Sequence, residues 1–292
     1  MSRRGWILFG ALSLIWGIPY LLIRISVREI TPGTLIFLRT APPALLLIPL
    51  IVRRGELGAL LRRWRPLIVY SAIEIAVPWL LVTKAEERIT SSLTGLLIAG
   101  VPLIGAFLAR ASGDEDRFDR RQWLGLFIGL LGAALLVGID VKGATALPIA
   151  MVLLASVGYA FGPRLFSRRL SDLPNLGVVA ASLAITAIAY APFGLTHLPS
   201  HVSAEAAWSV VGLSLVCTAA GFFVFFGLID EVGPVRATVV TYVNPAVALM
   251  LGITLLGEPF TLGIALGFPL VVLGSVLATR RQELPTRPGA PV

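Results

Sequence analysis

Apolar runs of about 20 residues recur along the whole chain, and that is the length an α-helix needs to cross the hydrocarbon core of a bilayer. In lipid each backbone N–H and C=O must be satisfied within the protein, so a continuous apolar run of this kind reads as a helix. The runs predict spans at roughly 5–23, 35–52, 66–83, 91–109, 122–139, 145–163, 175–195, 207–229, 237–256 and 261–279, with ends good to about four residues. Short loops and a Pro-rich tail, RRQELPTRPGAPV, take up the rest. The expected fold is therefore an all-α integral membrane protein of ten transmembrane helices.

Composition excludes the main alternatives. The chain is 57% hydrophobic, only 14% charged, and has a mean hydropathy of +0.88. A soluble domain carries roughly 25% charged residues. Cys217 is the single cysteine, so no internal disulfide can form, and the thiols and imidazoles for a structural zinc site are lacking. His197 and His201 have a ligand-like spacing, but Pro199 lies between them and works against a helical pair, so no metal is expected. No nucleotide-binding, hydrolase or zinc-protease motif occurs, and no cofactor or enzymatic activity is expected. The start, MSRRGWILFG, has the basic flank of a signal peptide, but no clean small-x-small cleavage site follows and nine more spans do. It reads as a retained first span.

The net charge of +8 is a matter of topology rather than of nucleic-acid binding. One set of loops carries Arg3 and Arg4, Arg53 to Arg65, Arg110 to Arg121, Arg164, Arg168 and Arg169, Arg236, and the arginines of the tail. The other set has Arg24, Arg28, Lys84, Arg88 and Lys142. By the positive-inside rule the first face is cytoplasmic, with both termini inside a bacterial cytoplasmic (inner) membrane. Trp6, Trp64, Trp123 and Trp208 fall at span ends, where indoles anchor helices to the interface.

The chain also repeats itself. LIAGVPLIGAFLA around Pro102 matches VTYVNPAVALMLG around Pro245; Glu86-Glu87 matches Asp230-Glu231; and Glu115, Gly125 and Gly132 match Glu258, Gly267 and Gly274. The offset stays near about 142–144 residues, which makes it a register. Gly17 and Gly158 fit a similar offset. The expected units are residues 1–140, residues 145–280 and a flexible cytoplasmic tail, 281–292. Five spans per unit is an odd number, so the second unit enters from the opposite side. The result is a pair of inverted five-helix repeats, the architecture of many secondary transporters.

Several motifs then carry a specific resemblance. They are Trp16-Gly17; TPGTLIFLRT with Pro32 and Arg39; SSLTGLLIAGVPLIGAFLA; and EVGPVRATVVTYVNPAVALMLGITLLGEPFTLGIALG with Pro245 and Gly257-Glu258. This pattern resembles the drug/metabolite transporter superfamily in its EamA-type branch, over roughly residues 5–280. The resemblance implies export or exchange of small metabolites, amino acids or drugs, usually coupled to an ion gradient. One departure is the charged connector SGDEDRFDRRQ of the first half, where the second has the compact LGEPFTLG.

Two charged residues sit within the spans. Glu74 lies near the middle of the third, where the neutral form of a carboxyl group is favoured, and it is a candidate proton carrier. Its register mate is Thr218, so the charge is not duplicated. Arg39 lies about 6 Å into the second span and Glu74 about 14 Å from the same face, a vertical gap of about 8 Å. Arg39 could pair with Glu74, hold an anionic substrate group or reach the outer interface. Trp16, Tyr20, Trp79, Tyr159, Tyr242 and Asn244 are candidate cavity-lining groups. Pro19, Pro78, Pro102 and Pro245 are candidate bends, because proline deletes a backbone hydrogen bond. Gly125-xxx-Gly129 and Gly263-xxx-Gly267, in the last span of each half, allow close helix contact, either on their own half or in a homodimer.

The expected activity is proton-coupled, alternating-access export of a small molecule. Three alternatives stay open: an uncoupled exchanger or facilitator, including a nucleotide-sugar-like carrier; a membrane-embedded enzyme; and a non-transporting scaffold. A carrier of phosphorylated sugars would want several cationic groups in its cavity, and only Arg39 is within a span.

Overall fold

The computed structural model describes residues 2–111, 120–140, 146–232 and 237–279, and every regular element among them is helical. Among the described residues seven helices are long and apolar enough to cross a membrane: α1 (Arg3–Ser26), α2 (Pro32–Arg53), α3 (Trp64–Ala85), α4 (Ser91–Leu108), α6 (Ala146–Arg169), α7 (Asn175–Thr196) and α8 (Ala204–Val232). Between α4 and α6 lies α5 (Arg120–Asp140). Two shorter apolar helices follow, α9 (Val240–Leu256) and α10, which extends over Leu262–Thr279. The connector around Glu115, the loop around Lys142 and the tail lie outside the described residues.

The surface is that of a bundle solvated by lipid. Leu45, Phe127, Ile188 and Trp208 are exposed large apolar side chains on four different helices, as are Trp6, Trp64 and Trp123. Five buried hydroxyls are satisfied on their own helix: Ser13 donates to Phe9 O, Ser26 to Leu22 O, Thr40 to Ile36 O, Ser71 to Leu67 O and Ser156 to Val152 O. Each closes the donor within one turn, as a medium without water requires.

The most extensive helix pairings are α5 with α10, α2 with α7, α3 with α6, α4 with α9, and α1 with α8. Advancing every label by five, and wrapping past ten, returns the same set. Glycine makes the closest of these contacts possible. A Cβ at Gly274 would lie 2.4 Å from Gly129 N, and one at Gly132 would lie 2.6 Å from Val271 N, backbone against backbone. Spacing alone has the glycines of these two helices packing on their own half or forming a dimer seam. In the structure those of α5 instead meet those of α10, in the other half of the same chain.

Four interruptions break the helices near the proposed bends. α1 is broken at Ile18, before Pro19; α4 breaks between Ile98 and Val101, before Pro102; and α9 passes from a 3₁₀ turn, Thr238–Tyr242, into Asn244–Leu256 at Pro245. In α3 the turn Ala72–Ala76 widens to a π-helix just before Pro78. A second π segment, Gly212–Ala220, lies in α8, offset by about 140 residues, the spacing of the sequence repeat. Single widened turns are uncommon and concentrate at functional sites.

Candidate functional site

The two π segments deliver the central polar groups: Glu74 from α3, and Cys217 and Thr218 from α8. A π turn holds an extra residue, so its carbonyls bond five residues on. The Thr218 hydroxyl accordingly donates to Leu213 O, at 2.8 Å. Thr218 is then turned to meet Arg39, whose Nε donates to Thr218 Oγ1 at 3.3 Å.

Arg39 is buried, with 8% of its surface exposed, and stacks over Trp79 with its guanidinium carbon 3.6 Å from the ring centroid. A cation over an indole face in a dry site is worth about 2 kcal/mol or more. No ion pair joins Arg39 to Glu74. The reason is depth: Trp79 is five residues beyond Glu74 on α3, about 7.5 Å along the axis, so it lies at the level of Arg39. Tyr20, Tyr159, Cys217 and Glu86 stand within Coulombic range of Arg39. They form one polar cluster inside an otherwise apolar bundle.

Glu74 belongs to the edge of this cluster. Its charge is felt by Tyr70 and Tyr159. Its Oε2 is buried without a hydrogen-bond partner and presses on α6, where a Cβ at Gly162 would land 1.7 Å from it. The remaining candidates are elsewhere. Trp16 packs on Phe222 and Phe225 of α8, with ring centroids 5.9 and 4.8 Å away. Tyr242 and Asn244 flank the break in α9, with Asn244 Oδ1 buried and unpartnered. Gly17 faces that break, where a Cβ would meet Val247 and Asn244 O.

Sequence reasoning missed a second cluster, at the end of the bundle beyond α3. Glu258 grips the N-terminus of α4. Its Oε1 accepts from Ser91 N and Oγ, each at 2.8 Å, and its Oε2 accepts from Ser92 N at 2.9 Å and from Ser92 Oγ. Gly257, at φ +64°, ends α9 with a left-handed turn that aims the carboxylate, and Gly252 leaves it room. Four donors on one carboxylate at a helix N-terminus make a strong cap. Beside it, Arg24 donates to Glu86 O, and the fully buried Glu86 carboxylate has no hydrogen-bond partner on either oxygen. The signal for this cluster was present, since Glu258 is a repeat position and Ser91-Ser92 opens a span, but which helix the carboxylate caps is a long-range fact.

Two further end contacts match each other. Glu29 accepts from Ser203 N and Oγ, at 2.7 and 2.6 Å, and Ser203 caps α8. At the other end Asp172 accepts from Arg63 Nη2 at 2.7 Å, and Arg63 precedes α3. Glu29 and Asp172 are about 143 residues apart, and Arg63 and Ser203 about 140. The Ser203 hydrogen bonds hold the Glu29 carboxyl below its ordinary range.

Glu86 lies just past α3. Burial pushes its carboxyl well above the usual carboxylate range; nearby Glu258 adds to this, while Arg24 and Arg39 oppose it. A carboxyl raised on folding contributes stability that is complete below its unfolded pKa and is lost as pH rises through the folded one. The thermal midpoint of the purified protein should therefore fall as pH rises above about 4.5, and Glu86→Gln should flatten that slope. An unchanged slope in the variant would place the titration elsewhere.

A helical bundle with seven helices long and apolar enough to cross a membrane among the described residues, with a buried polar cluster, is that of a multi-pass membrane protein. The EamA-like transporter family model matches twice, over residues 3–138 and 146–280. The chain belongs to that family. It is 29% identical over 296 residues to the uncharacterized inner membrane transporter YedA of Escherichia coli K12, covering 96% of this chain and 94% of that protein. It is 25% identical to an uncharacterized transporter of Archaeoglobus fulgidus, covering 96% of this chain and 100% of the other. A solved crystal structure superposes with a TM-score of 0.66 at 21% identity, covering 96% of this chain and 97% of that one, a likeness of fold.

Proposed function

We propose that this chain is a secondary active transporter of the bacterial inner membrane. It carries a small metabolite, amino acid or drug outward by alternating access, with a proton bound at Glu74. Its architecture is ten spans in two inverted five-helix repeats, residues 1–140 and 145–280, with both termini cytoplasmic.

One observation carries the reading: the π segments of α3 and α8 sit one repeat apart, and one presents Glu74 where the other presents Thr218. Two halves of like packing can exchange conformations at little net cost, which gives inward-open and outward-open states of similar energy. The set of helix pairings, unchanged when the halves are swapped, supports this. So do the matched end contacts, Glu29 with Ser203 and Asp172 with Arg63. These are the contacts an opening of either end would break. The single carboxylate breaks the symmetry and supplies one place for a coupling proton. Arg39 on Trp79, with Tyr20 and Tyr159 near, offers a cation and aromatic faces to a substrate bearing an anionic or apolar group. The inner membrane location follows that of the relative YedA, an inner membrane transporter, and the outward direction follows the resemblance. The α5–α10 glycine seam is consumed within the chain, so it offers no dimer surface.

The test is proton flux in proteoliposomes with a trapped pH dye, as amino acids, nucleosides and cationic drugs are added singly. Wild type should show substrate-dependent flux, and Glu74→Gln should lose it while staying folded and inserted. Labelled-substrate exchange that persists without proton flux in wild type would point to an uncoupled exchanger. Flux retained in the variant would remove Glu74 from coupling.

A further inference from the structure

Two cavities run together along the α3–α6 pair. The first, of about 280 Å³, has Val69, Ile73, Phe161 and Leu165 along it and Arg164, Arg168 and Arg169 at one end. The second, of about 370 Å³, shares Ile73 and Phe161 and continues past Val77 to Leu154. Val69, Val77, Leu154 and Phe161 are exposed, so the groove opens sideways from the bundle, where lipid lies.

The groove follows from how these helices touch. α3 and α6 are pressed together at Gly158, where a Cβ would come 2.5 Å from Ile73 O, and at Gly162. Contact this close at two glycines leaves the larger side chains of α6 standing on either side of the line, and the groove lies beside it.

Dimensions and charge select an occupant. Leu154 and Arg164 are ten residues apart on one helix, about 15 Å, which is half of the roughly 30 Å hydrocarbon core. The apolar length is therefore one leaflet, and the arginines stand where that leaflet's phosphates would be. Guanidinium groups bind phosphate in bidentate fashion, and basic pockets between spanning helices suit anionic headgroups. A free anion would leave the apolar channel unfilled, and a choline headgroup would bring a second cation up against the guanidinium groups.

We propose that the α3–α6 groove binds one anionic phospholipid, its phosphate on Arg164, Arg168 and Arg169 and an acyl chain along Ile73 and Phe161 toward Leu154. The chain would lie against the π segment Ala72–Ala76, next to Glu74.

Native mass spectrometry of delipidated, full-length protein tests this with phosphatidylglycerol, phosphatidylcholine and inorganic phosphate added separately. Wild type should retain phosphatidylglycerol over phosphatidylcholine by about tenfold or more. The double variant Arg168→Gln/Arg169→Gln should lose most of that preference. Leu154→Trp keeps all three arginines, fills the far end of the groove and should weaken retention of phosphatidylglycerol. Its site is exposed, so it decides the matter even if the arginine variant does not fold. Equal retention of the two lipids by wild type, or full phosphatidylglycerol retention in Leu154→Trp, would overturn the proposal. Inorganic phosphate bound at the same arginines as tightly as the lipid would reduce the site to an anion site and also overturn it.

Discussion

Gly274→Val should destabilise the protein by about 3 kcal/mol or more, and much of it should fail to leave detergent extraction as a folded species. At this position a Cβ alone would come 2.4 Å from Gly129 N, 2.5 Å from Gly129 Cα and 2.6 Å from Gly125 O. All three are backbone atoms, so no rotamer change relieves the clash, and α10 must move off α5. That pairing is the most extensive in the bundle, so the loss spreads along both helices. Gly10→Ala is the control: nothing lies within 4 Å of a Cβ there, and replacing a helical glycine should hold or raise stability by about 0.5–1 kcal/mol. Thermal unfolding in detergent, followed by size-exclusion chromatography, reads both. Equal midpoints for Gly274→Val and Gly10→Ala would mean that the seam is not the load-carrying contact between α5 and α10.

Arg39→Met should separate stability from transport. A buried guanidinium without an ionic partner is costly to desolvate, and an apolar side chain of similar length removes that cost. The variant should therefore unfold at the same temperature as wild type or a higher one. Transport should fall by about 10- to 100-fold, since the variant loses the cation offered to the substrate and a charged hydrogen bond to it is worth about 1.5–3 kcal/mol. Arg39→Lys should recover little, because an ammonium keeps the charge but not the flat face over the indole. The pair of measurements is a thermal midpoint and a substrate-uptake rate on the same preparations. Full transport in Arg39→Met would remove Arg39 from the substrate path.

The two variants probe features that differed in how readable they were. The glycines of α5 and α10 stood out by spacing alone, yet spacing cannot say which helix a small-residue face meets: they pack on each other across the two halves, not on their own half. Arg39 and Glu74 stood out because a charge in an apolar run is rare. In the structure Arg39 stacks on Trp79, five residues further along α3 than Glu74. Glu86 stood out only as a repeat position opposite Asp230, and in the structure it is fully buried.

The helical class, the approximate helix ends and the spacing of the repeat were determined by sequence alone. In a membrane each backbone must satisfy itself within its own segment, so the helices are a local consequence of composition, readable one run at a time. The tertiary structure decided which faces meet. That depends on the rotation of each helix about its axis, and a π turn adds a residue that swings everything beyond it by about 100°. The placement of Thr218 beside Arg39, the grip of Glu258 on Ser91 and Ser92, and the groove beside Gly158 and Gly162 all follow from such rotations and from contacts between residues far apart in the chain.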